Sequence, residues 1–304
     1  MKPAAGYQSL ACSSPEAVQT TGTVALDQRR WGNLFAGALS PFFVNLRSVN
    51  RFLSTLSVHV SLFQSARAFE VNIVDLIGIE TVRVFEPGVY RRIASSKGLL
   101  TSGVQSVKGA ANSGEVQAII DAATEEHRDY VRELLKQLFP PIESAFGGPH
   151  YASEFNQSWR DELRVCSAAV FDRYFQMGIP EGDLSESEFR QMLDLTGERE
   201  LFLGKFEEIR ARGLLDVMLS RLDGYAPKLD LANALAFVAS LMDVGEDLPD
   251  SSGFGLGAEI HVLRIIVRYL GQEPTVRNFS RGFTEFWWDR GIRSRNLQRG
   301  RVSL

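Results

Sequence analysis

Two arginines in one short basic segment are the residues of this chain best suited to bind a charged ligand. Arg47 and Arg51 lie four positions apart in the segment NLRSVNRF, and apolar residues recur around them at intervals of three and four. On an α-helix, residues four positions apart project from the same face. Two guanidinium groups on one face suit phosphate, because each planar fork donates two parallel hydrogen bonds. On spacing alone, two solvated surface arginines are the favoured interpretation, and a nucleotide-sensing role needs a reason beyond the spacing.

The chain contains no glycine-rich loop of the kind that holds nucleotide phosphates. Such a loop has four residues between its glycines and a lysine directly before Ser or Thr. The nearest string runs from Gly197 to Lys205, with six residues between its glycines and Phe206 after the lysine. Its periodicity predicts a helix that contains two glycines. A second glycine-rich string, from Gly253 to Gly257, is interpreted as a flexible loop before a helix.

The sequence does not indicate a metal site or a hydrolytic site. None of the four histidines has a Cys, His or carboxylate partner at a zinc-like spacing; they are His59, His127, His150 and His261. A Gly-x-Ser-x-Gly nucleophile motif is absent. Glu181 and Asp183 lack the other oxygen ligands of a calcium loop, so we expect them to form an acidic helix entrance.

The C-terminal region combines aromatic and basic side chains. It carries two acids, Glu285 and Asp289, against Arg277, Arg281, Arg290, Arg293, Arg295, Arg299 and Arg301. Its aromatic residues are Phe283, Phe286, Trp287 and Trp288. Rings that stack on bases and arginines that bind phosphates form single-stranded nucleic-acid sites. The favoured interpretation of the same residues is the buried face of a last helix that is followed by a solvated tail, because aromatic side chains are usually buried.

Apolar periodicity predicts helices along most of the chain and no run of alternating strands. Ser40 and Pro41 are predicted to open a long helix that reaches Phe63, and Asn72 or Glu70 is predicted to start the next helix. Further helices are predicted over residues 89–95, 115–140, 162–177, 198–222, 229–244, 258–270 and 274–288, with another that starts at Ser185 in a capping box. Residues 95–114 are predicted to form a loop and 146–159 a connector. The predicted fold class is all-α, an irregular multi-helix array.

Size and composition are those of a globular protein with room for one large domain or two ordinary ones. The chain has 304 residues, 44% hydrophobic residues and a formal net charge of -4, which gives no global reason to bind nucleic acid. Cys12 and Cys166 are too few for a disulfide framework, so a cytoplasmic location is expected. No apolar segment is long enough to predict a membrane span.

Two adjoining segments resemble KAP-family P-loop NTPases. NLRSVNRFLSTL, starting at Asn45, is similar to the segment that follows the family's nucleotide core, although Ser48 and Asn50 replace the Asp and Lys that are frequent there. EVNIVDLIGIETVRVFEPGVY, starting at Glu70, resembles the family's next helix. RYFQMGIPEGDLSESEF and ALAFVASLMDVGEDLP are similar to the helical C-terminal region of bacterial members. The resemblance covers residues 31–270.

The resemblance implies a STAND-like ATPase whose nucleotide lies between a P-loop α/β core and a helical lid. Arg47, with Arg51 second, would approach the phosphates from the lid. The strands, Walker A loop and Walker B acid of the family are absent from this sequence, so no ATPase activity is expected from the chain alone. ATP and magnesium are implied only together with a P-loop core. The expected partner is that core or another protein, a homo-oligomer is left open, and bacterial relatives suggest a role in anti-phage defence.

These observations give one main functional hypothesis and one alternative. The main hypothesis is the C-terminal sensing and coupling part of a KAP-type NTPase, present as a fragment, a split subunit or a degenerate homologue. Its expected domains are a poorly ordered tail over residues 1–30, a lid-type helical domain over 31–150, a C-terminal helical domain over 151–289 and a basic tail over 290–304. The alternative is a stand-alone helical module that binds protein, or nucleic acid through its basic aromatic C-terminus.

Overall fold

The computed structural model describes residues 26–101, 109–149, 151, 154–246 and 258–272. These residues form helices joined by turns, and they contain no β-sheet; the extended backbone pairs only at one isolated bridge, between Gln64 and Phe69. The all-α fold class is therefore confirmed. The predicted last helix over residues 274–288 lies outside the described residues, as do the tail over 290–304 and most of the tail over 1–30.

The first half of the chain is a series of helices of varied length. They are α1 (Gln28–Leu34), α2 (Leu46–Phe63), α3 (Ile73–Phe85), α4 (Pro87–Ser95), α5 (Lys97–Thr101), α6 (Gly109–Ile120), α7 (Arg128–Leu138), α8 (Glu154–Asp161) and α9 (Phe171–Gln176). Between α1 and α2 the chain makes a π-helical turn, Phe35–Leu39, and a 3-10 turn, Ser40–Phe42. A longer 3-10 segment, Pro140–Phe146, follows α7.

The described residues of the second half form five further helices. They are α10 (Glu186–Asp194), α11 (Arg199–Ala211), α12 (Leu215–Tyr225), α13 (Ala234–Glu246) and α14 (Ala258–Leu270). The capping box at the start of α10 is confirmed, because Ser185 accepts from the Glu188 backbone while the Glu188 carboxylate accepts from the Ser185 backbone. Helix α14 has the predicted bounds.

The start of α2 differs from the prediction. Asn45, and not Ser40, caps the helix: its backbone is extended, and its side chain accepts a 2.9 Å hydrogen bond from the Ser48 amide. Ser40 has a right-handed helical backbone and begins a separate 3-10 turn with Pro41, so its hydroxyl does not occupy a capping position. Helix α3 begins after Asn72, one of the two predicted starts.

Four other predicted elements are divided or shifted. Residues 162–170 form turns instead of a helix, with Leu163 at a φ of 55°, so only Phe171–Gln176 is helical there. Gly213, at a φ of 74°, separates α11 from α12 in the segment predicted as one helix. The predicted loop over 95–114 contains α5 and the beginning of α6, and the predicted connector over 146–159 contains most of α8.

The buried apolar side chains form two clusters that are separate along the sequence. The first extends from Leu34 to Tyr174 and the second from Leu184 to Tyr269. We call the two parts the first body and the second body. The gap between the two clusters of buried side chains therefore lies after Tyr174. The domain boundary predicted between residues 150 and 151 stays a prediction.

Candidate functional site

Arg47 lies on the solvent-facing side of α2, close to its N-terminus. Its side chain is exposed, and within the described part of the chain it makes no hydrogen bond or ion pair. An unpaired guanidinium retains all of its donors for a ligand. Arg47 is therefore available for the phosphate-binding role that its sequence context suggests.

Arg51 is exposed too, but its donors are partly used within the first body. One of its terminal nitrogens donates to the carbonyl of Val84 at 2.7 Å, and its guanidinium lies 4.9 Å from the centre of the Phe85 ring. These contacts attach α2 to the C-terminal end of α3. The structure thus separates two residues that the sequence treats as a pair: Arg47 is free for a ligand and Arg51 has a structural contact.

Apolar side chains accompany these arginines on the outward side of α2. Leu46 is 80% exposed, and Leu53, Val58 and Leu62 are each more than half exposed. The helix carries no aspartate or glutamate along its 18 residues. Exposed aliphatic side chains and positive charge therefore lie together on this side of α2.

Burial of carboxylates leaves the surface of residues 26–101 basic. This range holds nine Lys and Arg residues and five acids. Four of the acids are at most 5% exposed: Glu70, Asp75, Glu80 and Glu86. Asp27, which caps α1, is the acid that remains on the surface. A formal charge of -4 for the whole chain therefore conceals an excess of exposed basic side chains in residues 26–101.

Glu70 connects the first body to the second. Its carboxylate accepts from the backbone amides of Glu186 at 2.6 Å and Ser187 at 3.2 Å, in the first turn of α10. Arg173 lies 3.4 Å from the same carboxylate and also donates to the Glu70 carbonyl. A carboxylate at a helix N-terminus satisfies amides that have no partner in the helix itself.

Asp75 is fully buried and joins three segments. It forms ion pairs with Arg30 from α1 and Arg164 from the turns after α8, and it accepts from the Val165 amide at 2.9 Å. Burial opposes the charge of Arg164, but attraction to Asp75 raises the pKa of that guanidinium overall. The irregular backbone of residues 162–170 is thus held by hydrogen bonds to a charged group, a constraint that helical periodicity cannot reveal.

Glu80 forms a compact cluster with His59 and Arg83. Its carboxylate lies 2.7 Å from His59 Nδ1 and accepts two hydrogen bonds from Arg83, at 2.6 and 2.8 Å. Burial acts to raise the pKa of Glu80, but the Arg83 hydrogen bonds and the attraction of His59 and Arg83 hold it below its ordinary value. The cluster fixes α2 against α3.

Glu86 has the corresponding role at the end of α3. It accepts from the Thr124 hydroxyl and lies 2.6 Å from His127 Nδ1, while Phe42 packs on the His127 ring with the ring centres 4.4 Å apart. This interaction accounts for the interruption between α6 and α7, because the backbone amide of Thr124 also donates to Glu86. His59 and His127 are both paired with buried glutamates and do not lie together.

The acids of the α3 segment therefore act as structural ties between helices. These acids lie in the string EVNIVDLIGIETVRVFEP, which carries the resemblance described above. Part of that string therefore consists of residues that hold this helix in place. Sequence reasoning did not assign them this role. The available signal was the presence of four acids at intervals in an otherwise apolar helical run, since buried carboxylates require partners.

The other sequence candidates do not form a site within the described residues. Lys205 is paired with Glu208 at 2.9 Å on α11, and His261 lies near Arg264 on α14. Asp183 is an ion-pair partner of Arg173, as well as part of the entrance to α10. His150, the 253–257 string, Cys12 and the aromatic basic region after residue 272 lie outside the described residues.

Cys166 is buried, and burial raises the pKa of its thiol to about 12. A thiol with so high a pKa is protonated at neutral pH and is a poor nucleophile. Cys166 is therefore a core residue.

One shallow cavity of about 360 Å³ lies beside the start of α10. Its polar lining includes Asp183, Glu188 and Arg212. Arg212 pairs with Glu188, and this hydrogen bond, assisted by those from Ser185, lowers the pKa of Glu188 despite its partial burial. Because Arg212 pairs with Glu188 and Asp183 pairs with Arg173, the cavity does not offer a free charge to a ligand.

The described ranges contain no cluster of three or more side chains arranged to ligate a metal. Nor does any helix in those ranges have the length and apolar character needed to cross a membrane.

The chain was compared with protein-family models, with curated proteins and with solved structures, and no match was found in any of the three comparisons.

Proposed function

We propose that this chain is a sensing and coupling part of a STAND-like, KAP-type NTPase, without catalytic activity of its own. The observation that carries the proposal is the outward side of α2, where an unpaired Arg47 lies among exposed Leu46, Leu53 and Val58. A P-loop core would dock on the aliphatic side chains and present its nucleotide to the arginine.

The chemistry of α2 is consistent with this role. A guanidinium near the N-terminus of a helix adds its charge to the positive end of the helix dipole, and both attract phosphate. ATP and magnesium belong to the core, because the glycine loop and acids that hold them are not found in this sequence. The family resemblance makes anti-phage defence the proposed setting.

The first experiment searches for the missing core. The genomic DNA upstream of the Met1 codon is read for a strand followed by a glycine loop with Lys and Ser or Thr, in the same or an adjacent frame. That core is coexpressed with this chain and copurified. We expect a stable complex with the wild-type chain and its loss with Val58→Asp, because a charge would replace an aliphatic contact.

Tyr130→Asp is the matched control, since Tyr130 is a 39% exposed aromatic residue on α7 and lies outside the α2 surface. This variant should copurify like the wild type. Absence of a P-loop reading frame would contradict the proposal. So would a complex that is unaffected by Val58→Asp.

A further inference from the structure

The outward side of α2 contains a regular stripe of four exposed residues. Arg47, Arg51, Ser54 and Val58 are separated by four, three and four positions, which is the spacing of one helix face. We call these residues the α2 stripe. Its N-terminal end is basic, its centre is a small hydroxyl side chain and its C-terminal end is aliphatic.

Helix α13 contains a stripe with the same spacing and complementary chemistry. Leu235 is 88% exposed, Ala239 is half-buried, Met242 is 43% exposed and Glu246 is exposed. We call these residues the α13 stripe. Glu246, like Arg47, has no ion-pair partner in the part of the chain that the structure describes. Here the N-terminal end is aliphatic and the C-terminal end is acidic.

The two stripes match when the helices lie antiparallel. Arg47 then faces Glu246, and Val58 faces Leu235 at the other end, eleven residues or about 16 Å away along both helices. Between these ends, Arg51 faces Met242 and Ser54 faces Ala239. The small side chains at the centre permit a close helix approach, and the antiparallel arrangement places the positive end of one helix dipole beside the negative end of the other.

The chain segments that contain the two stripes also have formal charges of opposite sign. Residues 26–101 hold nine basic and five acidic side chains, and four of those acids are buried. Residues 184–246, which contain α13, hold seven basic and twelve acidic side chains, and two of these acids, Glu186 and Asp223, are buried. Opposite charge on two surfaces favours their encounter and fixes their orientation.

We propose that the α2 stripe of one copy binds the α13 stripe of a second copy. Both stripes are exposed within one chain, so the contact forms between molecules. It joins two different surfaces of the chain. Two copies can form it twice, in a two-fold dimer, or each copy can use its α2 on one neighbour and its α13 on another, in a closed ring or an open filament.

Self-association goes beyond the proposed coupling function and does not depend on it. A P-loop core and a second copy would compete for the α2 surface, because both need Arg47 and Val58. The two proposals can fail separately, since self-association is measured with the purified full chain and no nucleotide core.

Sedimentation velocity over a range of concentrations gives the first test. The wild-type chain is expected to form dimers and larger species, with weaker association at high salt because exposed charges are screened. Val58→Asp and Leu235→Asp should each weaken association at least about tenfold, whereas the Tyr130→Asp control should associate like the wild type. Circular dichroism checks that these surface variants remain helical.

Mixing the two variants tests whether α2 pairs with α13. Val58→Asp retains an intact α13 stripe and Leu235→Asp retains an intact α2 stripe. Each variant alone should therefore be monomeric, whereas a mixture should form a one-to-one heterodimer that grows no further. Dimers of Leu235→Asp alone would show that α2 pairs with itself, and the proposal would be wrong.

A charge exchange tests the register. Arg47→Glu and Glu246→Arg should each weaken association, and the chain that carries both changes should recover it, because the ion pair is restored with reversed sign. Failure of the double variant to recover would overturn the antiparallel register. A wild-type chain that remains monomeric at every concentration would overturn the proposal as a whole.

Discussion

Buried charge distinguishes this protein at the scale of single residues. Glu70, Asp75, Glu80 and Glu86 are removed from solvent, and each is paired with cations or backbone amides of another segment. Replacing one partner of such a pair leaves an uncompensated charge in the interior, which costs about 3–5 kcal/mol. The same burial leaves an excess of basic side chains on the surface of residues 26–101.

Glu80 provides a prediction about pH. Because the pKa of Glu80 in the folded protein lies below its ordinary value of 4.5, its carboxylate stabilises the fold above that pH. This contribution is lost as the pH falls below 4.5 and passes through the lower folded pKa. We expect Glu80→Gln to reduce the free energy of unfolding by about 2–4 kcal/mol at pH 7. The difference in the free energy of unfolding between Glu80→Gln and the wild type should become smaller as the pH falls toward 4.

Urea titrations at several pH values measure this effect. Glu133→Gln is the control, because Glu133 is 43% exposed and its 3.5 Å pair with Lys136 should contribute little. An equal loss of stability for Glu80→Gln at pH 7 and pH 4 would contradict the account.

At the scale of elements, the sequence predicted helices well where local signals agree. Asn72 caps the N-terminus of α3, as one of the two predicted starts, and α14 follows the apolar periodicity over its whole length. The predicted helix boundaries were wrong where contacts with residues far away in the sequence determine the backbone conformation. The turns after α8 are held by Asp75 from another helix, and Ser40 resembles a cap although the chain bends before α2 begins. The local sequence pattern gives no information about those contacts.

The position of the α2 cap can be tested by a pair of substitutions. Asn45→Ala removes the hydrogen bond to the Ser48 amide and should lower the free energy of unfolding by about 1 kcal/mol. Ser40→Ala is the matched control and should be almost neutral, because its hydroxyl does not cap a helix. Urea unfolding of both variants measures the difference. A larger loss for Ser40→Ala would restore the cap position that the sequence suggests.

At the scale of the whole molecule, two hydrophobic cores meet at a polar junction. Arg173, only 2% exposed, donates to Asp183, to the Leu184 carbonyl and to Glu70. Arg221 donates to the same Leu184 carbonyl and lies 4.0 Å from the centre of the Phe189 ring. The length and composition of the chain allowed one large domain or two ordinary ones. They could not predict this junction, because its partners lie far apart in sequence.

The junction provides a third prediction. Arg173→Ala would leave Glu70 and Asp183 without a buried cation, and should lower the free energy of unfolding by about 3–5 kcal/mol. Arg67→Ala is the control: Arg67 pairs with Asp194 across the same junction, but both side chains are at least half exposed, so little change is expected. Equal effects of the two substitutions in urea unfolding would show that the buried network does not hold the bodies together.

Steady-state turnover of Mg-ATP tests the central claim most directly, with the purified chain assayed alone and with its coexpressed P-loop core. We predict no turnover by the chain alone. With the core, Arg47→Ala should reduce turnover by about 10- to 100-fold, the value of one hydrogen bond to a charged group. Arg92→Ala, an exposed arginine on α4, should have no effect. Turnover by the chain alone that survives both Arg47→Ala and Lys205→Ala would reveal a catalytic site elsewhere and would contradict the account.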